Sequence, residues 1–140
     1  MAWLAVVGWL TVIFLVSDQP NASPARPGAD ELRLNPSKLG HVVAYSVLGF
    51  LVANALARSG VRRVPWWTFV FVALYAICDE THQAFVPGRD PAVFDVLIDV
   101  ASAPLGIMTW AGVSRLVRWG ERRENRTSPS RGIRGTEPPR

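Results

Sequence analysis

Acidic side chains and histidines are concentrated in one part of the sequence. Five of the eleven acids lie within the 21 residues from position 79 to position 99. These five are Asp79, Glu80, Asp90, Asp95 and Asp99. The two histidines, His41 and His82, each fall near the end of an apolar segment. Imidazole beside a carboxylate is typical of general acid–base catalysis, because the carboxylate orients the ring and fixes its tautomer.

The spacing of these residues places them on three helix faces. One face carries Asp79, His82 and Gln83, a second carries Asp95, Asp99 and Ser102, and a third carries His41 and Tyr45. Ionisable groups at membrane depth are costly, so they point into a helix bundle and find partners there. We therefore expect both histidines, Asp79 and Asp95 to converge within about 10 Å. The alternative to a functional site is a set of polar contacts that only fix helix packing. For Asp99 alone, a functional role and a packing role are equally good explanations.

Two predicted helix starts each carry a cationic side chain. The string "VPGRD" predicts a tight turn in which Gly88 permits a positive φ, and it presents Arg89 at the surface. The string "NPSKLGH" places Asn35 as a cap, Pro36 at the first helical position and Lys38 one turn in. Helix N-termini bind anions, and a guanidinium matches phosphate through its forked geometry. Together, the two cations therefore predict a phosphate ligand. Taken singly, each is explained equally well as a side chain that extends toward lipid headgroups.

Four apolar segments must position these residues. They cover positions 2–16, 39–57, 65–84 and 93–117. A helix needs roughly 17 to 25 residues to cross the hydrocarbon core of a bilayer, so the first segment is marginal and the other three are adequate. The first segment lacks the basic region that begins a signal peptide, which favours a retained span over a cleaved one. With 49% hydrophobic residues and a mean hydropathy of +0.18, the chain is predicted to be an all-α integral membrane bundle of four transmembrane helices.

The arginines predict the orientation of this bundle. Three of them, at positions 58, 62 and 63, occupy the connection between the second and third segments, and eight lie from position 115 onward. Lys and Arg are enriched in cytoplasmic connections. Both termini are therefore predicted to be cytoplasmic, and the polar site is predicted to face outward.

The remaining composition limits the classes of function. Residues 1–117 form one predicted membrane domain, and residues 118–140 are predicted to be a disordered, basic cytoplasmic tail. The net charge of +4 and the pI of about 10.2 would suit nucleic acid, but the positive charge lies in the tail and one short loop, so no such partner is expected. The single cysteine, Cys78, excludes an intrachain disulfide and is expected to be a small core residue.

Three strings resemble the VanZ-like family of small bacterial integral membrane proteins. They are "KLGHVVAYSVLGFLVA", "DETHQAFVPGR" and "DVLIDVASAPLG", and with the first apolar segment the resemblance covers roughly residues 1–115. Two positions depart from the family pattern. The family commonly has Asn where this chain has Asp99, and Gly where it has Ser102. The resemblance implies a multi-pass protein of the bacterial inner (plasma) membrane. It also implies a link to teicoplanin resistance, through the family's namesake, and a likeness to membrane enzymes that act on lipid headgroups.

The leading hypothesis is a membrane enzyme that exchanges or hydrolyses a phosphate-linked headgroup on a lipid or on a lipid-linked cell-envelope intermediate. The predicted binding residues are Arg89, Lys38, Gln83 and Tyr45. The predicted catalytic residues are His82, Asp79, Glu80, His41 and Asp95. One histidine would be the base or nucleophile, and one carboxylate would orient it.

Three alternatives accompany this hypothesis. No cofactor is required, and a divalent metal on His82 and the carboxylates at 79, 80 and 95 is an option that no ligand spacing demands. A non-catalytic protein that binds or shields a cell-wall lipid or an amphiphilic antibiotic is the second hypothesis. A purely structural four-helix protein is the third.

Overall fold

Each of the four apolar segments forms a helix. The computed structural model describes residues 1–19, 36–88 and 93–127. The helices are α1 (Ala2–Ser17), α2 (Pro36–Arg58), α3 (Val64–Gln83) and α4 (Val93–Thr127). No strand occurs within these described ranges, so the predicted all-α class is confirmed. The first three helices begin and end close to their predicted bounds.

Large apolar side chains lie on the surface while several polar side chains are buried, a distribution unlike that of a water-soluble protein. Large apolar side chains are exposed on every helix, among them Leu15, Val43, Leu74 and Met108. Beside an apolar core, the interior holds polar and charged side chains. These are Ser17, Lys38, Thr68, Asp79, Glu80, Gln83, Asp99 and Ser102. Soluble monomers rarely expose apolar patches larger than a few hundred Å², so this distribution favours an outer surface that faces lipid.

Two helices within the described residues are long and apolar enough to cross a membrane. They correspond to Lys38–Arg58 in α2 and Val93–Glu124 in α4. The first helix is short, with 16 residues. The third carries Asp79 and Glu80 near its end and two tryptophans near its start, which lower its mean hydropathy. These two helices suggest a membrane protein. Four spans were predicted, but by length and composition only α2 and α4 qualify among the described residues.

Hydrogen bonds and an apolar core join α1, α2 and α3. Trp3 Nε1, at the start of α1, donates to Ser59 Oγ just beyond the end of α2 at 3.0 Å, so these two helices run in opposite directions. Tyr75 Oη of α3 donates to the Leu10 carbonyl of α1 at 2.9 Å. The buried core cluster includes Val6, Ile13, Leu48, Val52, Ala55, Val72 and Ala76. Packing of this core fixes the three helices that carry Ser17, His41 and Asp79.

Small residues let α4 approach α2 closely. The Cα of Gly106 lies so near α2 that an added Cβ would collide with the backbone at Ser46. A Cβ on Gly49 would lie 3.0 Å from the Ala103 carbonyl oxygen, and Ser46 Oγ donates to the Ser102 carbonyl at 3.3 Å. Glycine, alanine and serine at such interfaces allow helix backbones to pack against each other in membranes. This contact brings the polar face of α4 against α2.

The fourth helix is longer than predicted. It continues to Thr127, and so includes residues 118–127, which the sequence predicted to be disordered. The guanidinium carbon of Arg123 lies 3.9 Å from the centroid of the Trp119 ring. Such a pair, four residues apart, stabilises a helix through contact between the cation and the ring. The rest of the predicted tail, residues 128–140, lies outside the described residues.

Two local predictions have different outcomes. Gly88 adopts a positive φ of 79°, as the turn after α3 predicted. Cys78 is exposed, so its prediction as a core residue is wrong. Its neighbours Asp79 and Glu80 are buried, and because they occupy the inward face of α3, Cys78 is turned outward.

Candidate functional site

Four helix ends meet within the compact unit Met1–Trp110. α1 and α3 contribute residues from their C-terminal ends, whereas α2 and α4 contribute residues from their N-terminal ends. The residues that contact one another there include Ser17, His41, Asp79 and Asp99. The alternating direction of successive helices is what brings residues from distant parts of the chain to this one level.

Asp79 is the centre of a buried hydrogen-bond network. Its Oδ2 atom accepts hydrogen bonds from Ser17 Oγ at 3.0 Å, Tyr45 Oη at 3.2 Å and Gln83 Nε2 at 3.0 Å. The residue is 4% exposed, and a carboxylate so deeply buried needs such partners. Since the donors come from α1, α2 and α3, the network ties three helices together and holds the carboxylate in one position.

His41 is oriented by Asp99. The Nδ1 atom of His41 lies 3.0 Å from Oδ1 of Asp99, which is 1% exposed. An ionised carboxylate can only accept, so the proton resides on Nδ1, and Nε2 is the ring nitrogen left to accept a proton. The ring also lies parallel to that of Tyr45, with 6.3 Å between centroids. Tyr45 therefore connects the imidazole to the Asp79 network.

A cavity of about 610 Å³ lies between α1 and α2. Its apolar wall consists of Trp9, Val12, Ile13, Val16, Leu39, Val43 and Ala44. Its polar end consists of Ser17, His41, Tyr45 and Asp79. Ligand sites are commonly cavities of roughly 300–1,000 Å³ with mainly apolar walls and a few polar groups. The cavity thus combines an apolar wall with a polar end.

The other predicted histidine lies on a different side of the site. The ring of His82 stacks on Phe14 of α1, with 4.6 Å between centroids. Its Nε2 atom lies 3.3 Å from Oδ1 of Asp18, close enough for an ion pair but without hydrogen-bond geometry. Of the two histidines, His41 is the one that lines the cavity.

Four further predicted residues surround these contacts. Gln83 belongs to the Asp79 network, and Lys38 and Glu80 are buried. Asp95 is half-buried in the first turn of α4, one turn before Asp99. The predicted phosphate ligand Arg89 lies outside the described residues. Its role stays a prediction.

The described part of the chain contains no cluster of three or more His, Cys, Asp or Glu side chains arranged to hold a metal ion. The carboxylates instead have other partners, since Asp79 accepts from neutral side chains and Asp99 pairs with His41. The alternative of a divalent metal on His82 and its neighbouring acids therefore receives no support from these contacts.

Sequence reasoning missed one member of the site and left the role of another undecided. Ser17 was only the end of an apolar segment, yet its hydroxyl donates to Asp79, 62 positions away. For Asp99, helix packing and a functional role were equally good explanations, although it is the carboxylate that orients His41. A signal for Asp99 was present in its spacing, because it lies on the same helix face as Asp95. No local signal marked Ser17.

Comparison with known proteins gives a match at the level of the family. The family model described as VanZ/LLP1 matches residues 2–116. No curated protein matches the chain significantly, and neither does any solved structure. The matched range covers all of α1, α2 and α3 and most of α4.

Proposed function

We propose, since the chain belongs to the VanZ/LLP1 family, that it is a multi-pass membrane protein that binds a phosphate-bearing lipid headgroup and promotes a reaction on it. The observation that carries this proposal is the cavity between α1 and α2, whose polar end holds His41 with its Nδ1 fixed by Asp99. The substrate would be a membrane lipid or a lipid-linked cell-envelope intermediate.

The membrane arrangement is part of the proposal. α1 and α3 complete a four-span bundle with α2 and α4, because both carry exposed apolar side chains such as Leu15 and Leu74. At 1.5 Å per residue, 16 and 20 residues reach about 24 and 30 Å, close to the thickness of a hydrocarbon core. The arginines at 58, 62 and 63 favour cytoplasmic termini and an outward-facing site in a bacterial inner membrane.

A lipid fits the cavity because of where its walls lie. Val12 and Val16 of α1 and Val43 of α2 line the cavity and are also exposed on the outside of the bundle. In a bilayer this surface faces hydrocarbon, so an acyl or isoprenoid chain can enter from the side between α1 and α2. The headgroup would then reach the polar end without leaving the level of the membrane surface.

The phosphate would be held by cations at the helix ends. Lys38 lies three residues before His41 and so shares its face of α2, one turn nearer the start of the helix. The start of a helix also attracts anions through its unpaired N–H groups. Arg89, from the turn after α3, is the second proposed phosphate ligand.

The chemistry assigned to His41 is general base catalysis. Asp99 holds the proton on Nδ1, which leaves the Nε2 lone pair to take a proton from water or from a hydroxyl that attacks the headgroup phosphate. The bond between phosphorus and the headgroup oxygen would then break, and the imidazolium would return its proton to the departing headgroup alcohol. The buried carboxylate also stabilises the imidazolium that forms when Nε2 is protonated. His82, stacked on Phe14, is assigned no role in proton transfer.

The purified protein in vesicles that contain phosphatidylglycerol and phosphatidylethanolamine tests this proposal. Headgroup release or exchange is measured by mass spectrometry for the natural chain, for His41→Gln and for the matched control His82→Gln. We expect turnover in the natural chain and the control, and loss of it in His41→Gln. Turnover that persists in His41→Gln would overturn the assignment of the base. In parallel, the lipid headgroups of cells with and without the protein should differ.

A second candidate function is non-catalytic. The large apolar wall of the cavity also favours a protein that binds or shields a cell-wall lipid or an amphiphilic antibiotic of the teicoplanin type. Such a protein would show saturable lipid binding but no headgroup turnover in any variant. Binding and turnover measured on the same preparation separate the two functions.

A further inference from the structure

The polar end of the cavity presents hydrogen-bond acceptors. Among the described residues that line it, none is Lys or Arg. The hydroxyls of Ser17 and Tyr45 are already directed at Asp79 Oδ2. The side-chain groups left for a ligand are therefore a carboxylate oxygen and an imidazole nitrogen, and both of them accept hydrogen bonds when the imidazole is neutral.

The carboxylate oxygen is Oδ1 of Asp79. All three hydrogen bonds to this carboxylate end on Oδ2, and within the described residues Oδ1 receives none. Within the same part of the chain, Oδ2 of Asp99 also has no partner, but it is fully enclosed by protein atoms, whereas Oδ1 of Asp79 is not enclosed in this way. Because Asp79 lines the cavity, Oδ1 is the oxygen available to a ligand there.

The imidazole nitrogen is Nε2 of His41. Asp99 fixes the ring through Nδ1, so in the neutral imidazole Nε2 carries the lone pair. The side chain lines the cavity and is 14% exposed. A bare phosphate at this point would be repelled by the Asp79 carboxylate, whereas a group with N–H or O–H bonds could donate to both acceptors.

We propose that Asp79 Oδ1 and His41 Nε2 bind a hydrogen-bond donor of the lipid headgroup, an alcohol hydroxyl or a primary ammonium, next to its phosphate. The inference rests on the proposed function and narrows its substrate class to phospholipids with a donor-bearing headgroup. The phosphate lies toward Lys38, one turn nearer the start of α2. The hydrocarbon chain lies along the wall formed by Val12 and Val43.

Four lipids with identical chains test the inference. Phosphatidylglycerol and phosphatidylmethanol carry the same charge, but only the first has hydroxyl donors. Phosphatidylethanolamine and phosphatidylcholine are both zwitterionic, but only the first has N–H donors. Equilibrium binding of each chain-labelled lipid to the purified protein in micelles should favour the donor-bearing member of at least one pair by about tenfold, the scale of one hydrogen bond to a charged group.

Two variants assign the effect to Asp79. In Asp79→Asn the amide oxygen can take the place of Oδ2, which turns the amide NH₂ toward the cavity and removes the preference for donors. Tyr75→Phe is the matched control, because its hydroxyl donates to the Leu10 carbonyl and lies outside the cavity wall. The control should keep the tenfold preference.

Each outcome has one meaning. A preference for phosphatidylglycerol identifies a hydroxyl donor, and a preference for phosphatidylethanolamine identifies an ammonium donor. Equal binding within both pairs overturns the donor site but leaves the proposed phosphate-lipid function intact. Stronger binding of both zwitterionic lipids than of both anionic ones, with equal binding within each pair, attributes the selectivity to charge and also overturns the inference. Absence of binding by all four lipids contradicts the proposed function itself.

Discussion

His41 Nδ1 and Asp99 Oδ1 lie 3.0 Å apart, although 58 positions separate the two residues in the chain. The carboxylate that orients the imidazole therefore comes from α4, and not from the acidic string at the end of α3. This arrangement leaves Asp79 for a separate network with Ser17, Tyr45 and Gln83. The two carboxylates consequently make separate, testable contributions.

Variants of the His41–Asp99 pair should lose headgroup turnover in a defined order. We expect His41→Gln to lower turnover by about 10²- to 10⁴-fold, the usual contribution of general acid–base catalysis. Asp99→Ala should lower it less, and Asp99→Asn least, because an amide oxygen can still accept from Nδ1–H. The His41→Gln/Asp99→Ala double variant should be no worse than His41→Gln alone, since residues that act as a unit are not additive. Multiplied losses would contradict a functional pair.

Removing one hydroxyl should reveal the strength of the Asp79 network. Tyr45→Phe deletes a hydrogen bond to a buried carboxylate and should lower the free energy of unfolding by about 1.5–3 kcal/mol. Tyr75→Phe deletes a hydrogen bond to a neutral carbonyl and should lower it by about 0.5–1.5 kcal/mol. Denaturant titrations in the same detergent measure both values. A larger loss for Tyr75→Phe would show that Asp79 is not the principal polar tie between the helices.

Two glycines of α4 should respond to alanine with opposite signs. Gly106→Ala places a Cβ against the backbone of α2 at Ser46, so we expect destabilisation and a lower Tm. Gly112→Ala meets no atom within 4 Å, so it should raise stability by about 0.5–1 kcal/mol through helix propensity. Thermal unfolding of both variants in one detergent gives the comparison. A stabilised Gly106→Ala protein would refute the close approach of the two helices.

Cysteine labelling in intact cells checks the orientation. With Cys78 replaced by alanine, a single cysteine is introduced at Ser59, beyond the end of α2, or at Pro87, in the turn after α3; both positions are exposed. The asymmetry of arginines predicts that an impermeant maleimide modifies position 87 from outside and reaches position 59 only after the membrane is permeabilised. The opposite pattern would invert the bundle and place the candidate site in the cytoplasm.

The helices were predictable from the sequence because each apolar run and its flanking turn residues are local features. Pro36 and Gly88 mark a helix start and a turn where they were expected. The partners within the site were harder to predict, because they depend on how helices rotate against one another. Helical spacing placed Asp79 and His41 on inward faces, but it could not decide which carboxylate meets which imidazole. Ser17 directly follows the first apolar segment, where the helical pattern of apolar residues ends. Nothing in the local sequence therefore indicated its contact with Asp79.

The contact between Gly106 and α2 has a consequence for biosynthesis. Ribosomes release α1, α2 and α3 before α4, so a nascent chain that extends only to Gln83 carries the imidazole at position 41 but lacks the carboxylate at position 99. The His41–Asp99 pair can form only after the last helix has been synthesised and has packed against α2 through its small residues. The contact that orients the imidazole is thus formed last, and a chain arrested before position 99 lacks the carboxylate partner of His41.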